Sequence, residues 1–231
     1  MVTDSLFNKL KITSYPDGIK PVPNSRIEGT AFFPGGDGLY GHKEFAKSEI
    51  MILGQDFDNE YNFEKSKKRK SEDGNKTWSN LKKILGNEID MERCFFTNAI
   101  MGLREGDAKN TGRSKAFLKK NGLFLDECRA FFIEQLKAQK PKLIIGLGAH
   151  IPVFLSETST DLERLSKITS LSKIGESIED NFFRDVVFKG IDDYKASVIF
   201  ITHPSLYYAN VINRKKGDKD FEYNLIRRAN K

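Results

Sequence analysis

The sequence predicts an α/β fold, a three-layer αβα arrangement around a central, mostly parallel sheet of four strands. Two observations lead there. Four short runs are apolar throughout rather than alternating, which suits strands covered on both faces. Between them lie stretches with apolar residues at helical spacing, and strands alternating with helices argue for right-handed βαβ crossovers.

The elements follow in chain order. The first 45 residues hold Pro16, Pro21, Pro23, Pro34 and the cluster Gly35-Gly36-Asp37-Gly38, so an irregular N-terminal segment is expected. Glu49-Ile50-Met51-Ile52-Leu53 is the first strand. Lys65 to Lys70 is a basic run of the kind that forms a solvated loop. Thr77 to Leu85 places Trp78, Leu81, Ile84 and Leu85 on one helical face, and Cys94-Phe95-Phe96-Thr97 is the second strand. Leu123 to Ala138 carries Phe124, Leu125, Cys128, Phe131, Phe132 and Leu136 along an apolar stripe that Pro141 stops. Lys142-Leu143-Ile144-Ile145-Gly146 is the third strand, residues 156–190 read as helix and loop, and Ser197 to Thr202 is the fourth strand. A second basic run spans Arg214 to Lys219. Periodicity does not supply the strand order.

A chain of 231 residues fits one domain, 1–231. A core of that size buries roughly 70% of the surface an unfolded chain exposes. Hydrophobic residues make up 39% and charged residues 30%, which is a globular composition with a highly charged surface. The net charge of +6 favours polyanionic partners. Cys94 and Cys128 are too few for a disulfide framework or a four-cysteine cluster, and both sit among apolar residues as small buried hydrophobes do. No apolar run approaches the roughly 18 residues of a membrane span. The segment Met1 to Ser5 lacks the regions of a signal peptide, so a reducing, cytoplasmic location and no membrane partner are expected.

Three of the four strands end in polar residues that catalytic sites use. In open parallel sheets, ligands bind outside the carboxyl ends of the strands. Gly54-Gln55-Asp56 follows the first strand, Asn98 the second, and His203-Pro204-Ser205 the fourth. Long crossovers separate these groups in sequence, and the fold would bring them together. Gly146-Leu147-Gly148 lacks the third glycine of a dinucleotide-binding turn. His42 and His150 are read as structural, and no metal-ligand spacing appears.

At these residues the sequence resembles the uracil-DNA glycosylases. Gly54-Gln55-Asp56 looks like the start of their water-activating Gly-Gln-Asp-Pro-Tyr-His motif, and Thr97-Asn98-Ala99 looks like the strand end carrying their uracil-reading asparagine. His203-Pro204-Ser205 is similar to the opening of their His-Pro-Ser-Pro-Leu-Ser motif. Pro141 to Gly148 is similar to a strand of the superfamily's iron–sulfur branches, and Thr77 to Leu81 is placed like the segment after the first motif. The resemblance runs in unchanged order from about residue 48 to 214. It departs at Phe57-Asp58, where the family has Pro-Tyr, and at Leu206-Tyr207, where it has Pro-Leu. Cys128 falls where iron–sulfur branches place one ligand, but companion cysteines are absent, so no cluster, metal or other cofactor is expected.

The resemblance implies an outlying branch of the superfamily, a monomer acting on single- or double-stranded DNA. Cleaving an N-glycosidic bond builds positive charge on the sugar and negative charge on the departing base. A carboxylate near the sugar stabilises the first and holds a water, the role assigned to Asp56. A neutral imidazole donating to a base carbonyl stabilises the second, the role assigned to His203. The amide of Asn98 complements a pyrimidine edge, and the base must be flipped to reach it. Phe57 or Trp78 stacks on the base, and Gln55 lends its backbone N–H. Leu206, Tyr207 or Tyr208 enters the duplex as a wedge, while Ser205, Arg214, Lys215 and Lys216 bind phosphates. Two other readings compete with an active DNA glycosylase. One is a catalytically silent protein that recognises a base or nucleotide. The other is a hydrolase of free nucleotides, with a closed pocket and no wedge.

Overall fold

The computed structural model describes residues 2–22, 32–34, 49–69, 76–106, 122–206, 214, 218 and 220–231, without the side chains of 2–4, 66–69 and 206. Its centre is a sheet built from the four apolar runs. They form β2 (Ile50–Gly54), β3 (Cys94–Asn98), β5 (Leu143–Leu147) and β7 (Lys195–Ile201), after a short β1 (Ile19–Pro21) and with β4 (Gly102–Arg104) directly behind β3. A fifth strand, β6 (Phe182–Val187), joins them, and the spatial order is β3-β2-β5-β7-β6. The first four are parallel, with Gly54 opposite Asn98, Leu53 opposite Gly146 and Leu147 opposite Ile201.

Alternation explains the layers. Successive side chains of a strand point to opposite faces. Met51, Leu53, Phe95, Ile144, Val198 and Phe200 therefore enter one core, against Phe124, Leu125, Cys128, Phe131, Phe132 and Leu136. Those residues belong to the long helix α4 (Gly122–Gln139), which follows α1 (Val2–Lys9), α2 (Glu60–Arg69) and α3 (Lys76–Leu85). Ile52, Phe96, Ile145, Leu147, Ile199 and Ile201 enter a second core on the other face. There they meet Trp78, Leu81, Ile84 and Leu85 of α3 and Phe221, Leu225 and Ile226 of the C-terminal helix. After α5 (Ile151–Ser156) and α6 (Ile178–Asn181), that helix is α7 (Phe221–Ala229). The three-layer α/β fold is thus present, with helices on both sides of a mostly parallel sheet.

Two expectations are corrected. The sheet has five strands, because 156–190 contains α6 and the antiparallel edge strand β6 as well as helical turns. Its register shifts between Phe183 and Val186, where Asp185 takes a left-handed φ of 52°. That bulge breaks the period of two by which a strand is recognised. The N-terminal segment is not irregular throughout. α1 buries Leu6 against the α4 core, β1 pairs antiparallel with β4, and Phe33 bridges to Thr97 at the edge of β3. An eight-residue helix and a three-residue strand are too short to leave a periodic signal. Among the described residues no helix is long and apolar enough to cross a membrane.

Candidate active site

The carboxyl ends of β2, β3 and β7 open on one edge of the sheet, and the polar residues that follow them define the site. Gly54 ends β2 directly opposite Asn98, the last residue of β3. A Cβ on Gly54 would overlap Asn98 Oδ1 and lie 3.0 Å from the Phe32 ring, so the missing side chain is what lets the buried amide lie there. The ladder continues past the strands: Ala99 N–H donates to Gly54 O and Ile100 N–H to Gln55 O, both at 2.9 Å. Asp56 is therefore carried on a segment tied to the end of β3.

Asp56 is partly exposed. Its Oδ1 accepts from Asp58 N–H at 2.9 Å, its Oδ2 accepts from Gln55 Nε2 at 3.4 Å, and Arg104 Nη2 lies 3.8 Å from Oδ1. The same Arg104 nitrogen bonds Asp58 Oδ1 at 2.5 Å.

His203 begins two residues past β7, and several contacts fix it. Gly148, with φ +88°, packs so closely that a Cβ there would stand 3.1 Å from His203 Cβ. Thr202, just before it, donates its N–H and hydroxyl to Glu222 Oε1 of α7 at 2.7 and 2.6 Å. Pro204 O, just after it, accepts from the buried Asn80 Nδ2 of α3 at 2.8 Å. Nδ1 receives the Ser205 N–H at 3.3 Å, with Ser205 Oγ at 2.7 Å. A backbone N–H only donates, so Nδ1 is an acceptor, the Ser205 hydroxyl donates to it, and the ring proton sits on Nε2. Burial lowers the imidazole pKa, while the charges of Asp56 and Asp58 act the other way. The site thus pairs a carboxylate with a neutral imidazole N–H donor beside a buried amide.

The remaining expected residues divide. Phe57 and Trp78 are both buried, Trp78 edge-on to Phe96 with centroids 5.0 Å apart and tilted on Phe32 at 5.4 Å. Phe32, half-buried, lies 3.0 Å from where a Gly54 Cβ would stand, closer than any other aromatic among the described residues, and sequence reasoning missed it because it lies in the proline- and glycine-rich stretch. Asn80, Gly148 and Glu222 were missed as well; only the positive-φ glycine after β5 leaves a local trace. The Gln55 carbonyl accepts the Ile100 N–H at 2.9 Å.

Ser205 is exposed and bonded to His203. Arg214, expected at a phosphate, is instead buried: Nη1 pairs with Glu222 at 2.5 Å, Nη2 donates to Asn181 at 3.1 Å, and the guanidinium lies over Phe221. A buried carboxylate eight residues on outcompetes solvent for that charge. The Leu206 side chain, Tyr207, Tyr208, Lys215 and Lys216 lie outside the described residues, as does His42. Cys94 and Cys128 are buried and free, and burial pushes both thiols up to about 12. Among the described residues no cluster of His, Cys, Asp or Glu has the grouping of a metal site.

A carboxylate, an amide and a neutral imidazole thus stand at the carboxyl end of a doubly covered parallel sheet, where the class of open α/β proteins binds its ligands. The family model of the uracil DNA glycosylase superfamily matches residues 42–224, and the chain belongs to that superfamily. The superfamily acts on DNA in repair. A search of curated proteins finds no match.

Proposed function

We propose that the protein is a DNA glycosylase that cleaves the N-glycosidic bond of uracil or another damaged base. The observation that carries this reading is the pairing of Asp56 with a His203 whose Nδ1 is already occupied, beside Asn98. Asp56 holds a water at the sugar and stabilises the cationic centre as the C1′–N bond breaks. The base leaves with the bonding electron pair, and His203 Nε2–H donates to its carbonyl oxygen, where the charge develops. The water adds to C1′ and gives its proton to Asp56. Asn98 reads the base edge, and Phe32 offers it a ring face in place of Phe57 and Trp78.

A second reading is silent base recognition. It is favoured by Phe57-Asp58 standing where the family motif has Pro-Tyr.

The test uses end-labelled oligonucleotides with uracil, hypoxanthine or xanthine, paired and unpaired, followed by alkali. Scission by the wild type, with losses of roughly 100-fold or more in Asp56→Ala and His203→Ala, is the expected result. No scission on any substrate, with DNA binding retained, would leave the silent reading.

A further inference from the structure

A second carboxylate stands two residues beyond Asp56, in an unusual backbone conformation. Asp58 has φ 68°, a left-handed value that non-glycine residues adopt at a cost. Local bonds hold it there. Its N–H donates to Asp56 Oδ1 at 2.9 Å, and its carbonyl accepts the Arg104 N–H at 3.0 Å. Its Oδ1 accepts from Asn59 N–H and its Oδ2 from Asn62 Nδ2, each at 2.9 Å.

The object held by this arrangement is Arg104. Its side chain is only 13% exposed, and Nη2 sits between the two carboxylates, at 2.5 Å from Asp58 and 3.8 Å from Asp56. Nε and Nη1 are buried and have no hydrogen-bond partner among the described residues. Charge-assisted N–H···O bonds settle at about 2.7–2.9 Å. The Asp56 contact is therefore about 1 Å too long to be one, although spare donors are at hand. Among the described residues, Gln55 Nε2 and the His203 imidazole also act on Asp56.

We propose that Asp58 is a positioning residue that anchors Arg104 and keeps it from forming a direct ion pair with Asp56. This rests on Asp56 being the water-holding carboxylate. A free Arg104 would close on Asp56 and occupy the oxygens needed for water. The left-handed turn at Asp58 aims its carboxylate at the guanidinium while its own N–H steadies Asp56.

Two variants test this. Asp58→Asn keeps the size and the local acceptor but removes the charge. Asp58→Gly removes the carboxylate with its bonds to Arg104, Asn59 and Asn62 but relieves the positive φ, so the two variants remove the charge with different effects on the backbone. Crystal structures of both should show Arg104 Nη closing on Asp56 from 3.8 Å to about 2.8 Å. Single-turnover base release should fall roughly tenfold in both without a change in DNA affinity. Adding Arg104→Met to Asp58→Asn should restore most of the rate. An unmoved Arg104 in both variants overturns the proposal, as does a double variant no faster than Asp58→Asn. If wild type releases no base from any substrate, the glycosylase reading fails, and the crystallographic distance still decides whether Asp58 restrains Arg104.

Discussion

The protonation of His203 decides what the site does with pH. Desolvation lowers the imidazole from its ordinary value of 6.5, and the negative charges of Asp56 and Asp58 only partly oppose it. The ring is thus neutral at and above that value, with its proton on Nε2. The acid limb of the rate should lie below pH 6.5 and be lost in a His203 variant, as a pH profile of single-turnover base release would show. The same shift acts on stability. Between the lowered value and 6.5 the unfolded chain binds a proton that the folded chain does not, so this contribution to stability falls as pH drops through that window. Asp56, Asn98 and His203 are legible in sequence because each directly follows an apolar run, and strand ends of parallel sheets gather ligands. Phe32, Asn80, Gly148 and Glu222 are not, because their roles lie in contacts between elements far apart in the chain. Arg214 reads as solvated because it opens a basic run, and nothing local shows that Glu222 faces it.

Between elements, the Glu222 carboxylate of α7 clasps both ends of the His203 segment. It takes two bonds from Thr202 at the end of β7 and one from Arg214, itself bonded to Asn181 of α6. All four side chains are buried, so removing one partner strands a charge in the interior. Glu222→Ala should cost about 3–5 kcal/mol, measured as a shift in the urea midpoint. Glu222→Gln, which keeps an acceptor for Thr202, should cost less; equal losses would show that the Thr202 bonds contribute nothing beyond the charge of Glu222. The four parallel strands are legible because both of their faces are covered, leaving unbroken apolar runs. β6 is not: its exposed Arg184 and the bulge at Asp185 are what an edge strand needs and what a pattern search rejects.

For the molecule as a whole, charge separates a polymeric substrate from a small one. The chain carries a net charge of +6, but Arg214 is paired internally and contributes nothing to a binding face. Arg214 is therefore not available to a backbone phosphate, and salt dependence tests whether other cations of the chain are. Each neutralised phosphate of duplex DNA releases condensed counterions, so log affinity falls with log salt at about −0.9 per phosphate. A face that engages about four phosphates loses roughly 100-fold in affinity between 50 and 200 mM salt. Titrating a fluorescent duplex across that range should return a slope of about −0.9 for each phosphate engaged. A free nucleotide has no condensed counterion atmosphere to release, so a hydrolase of nucleotides would bind its substrate with little salt dependence and would bind duplex DNA weakly at every concentration. A steep slope for DNA therefore supports a polymer-facing groove, and a flat one assigns the same Asp56–Asn98–His203 site to a free nucleotide.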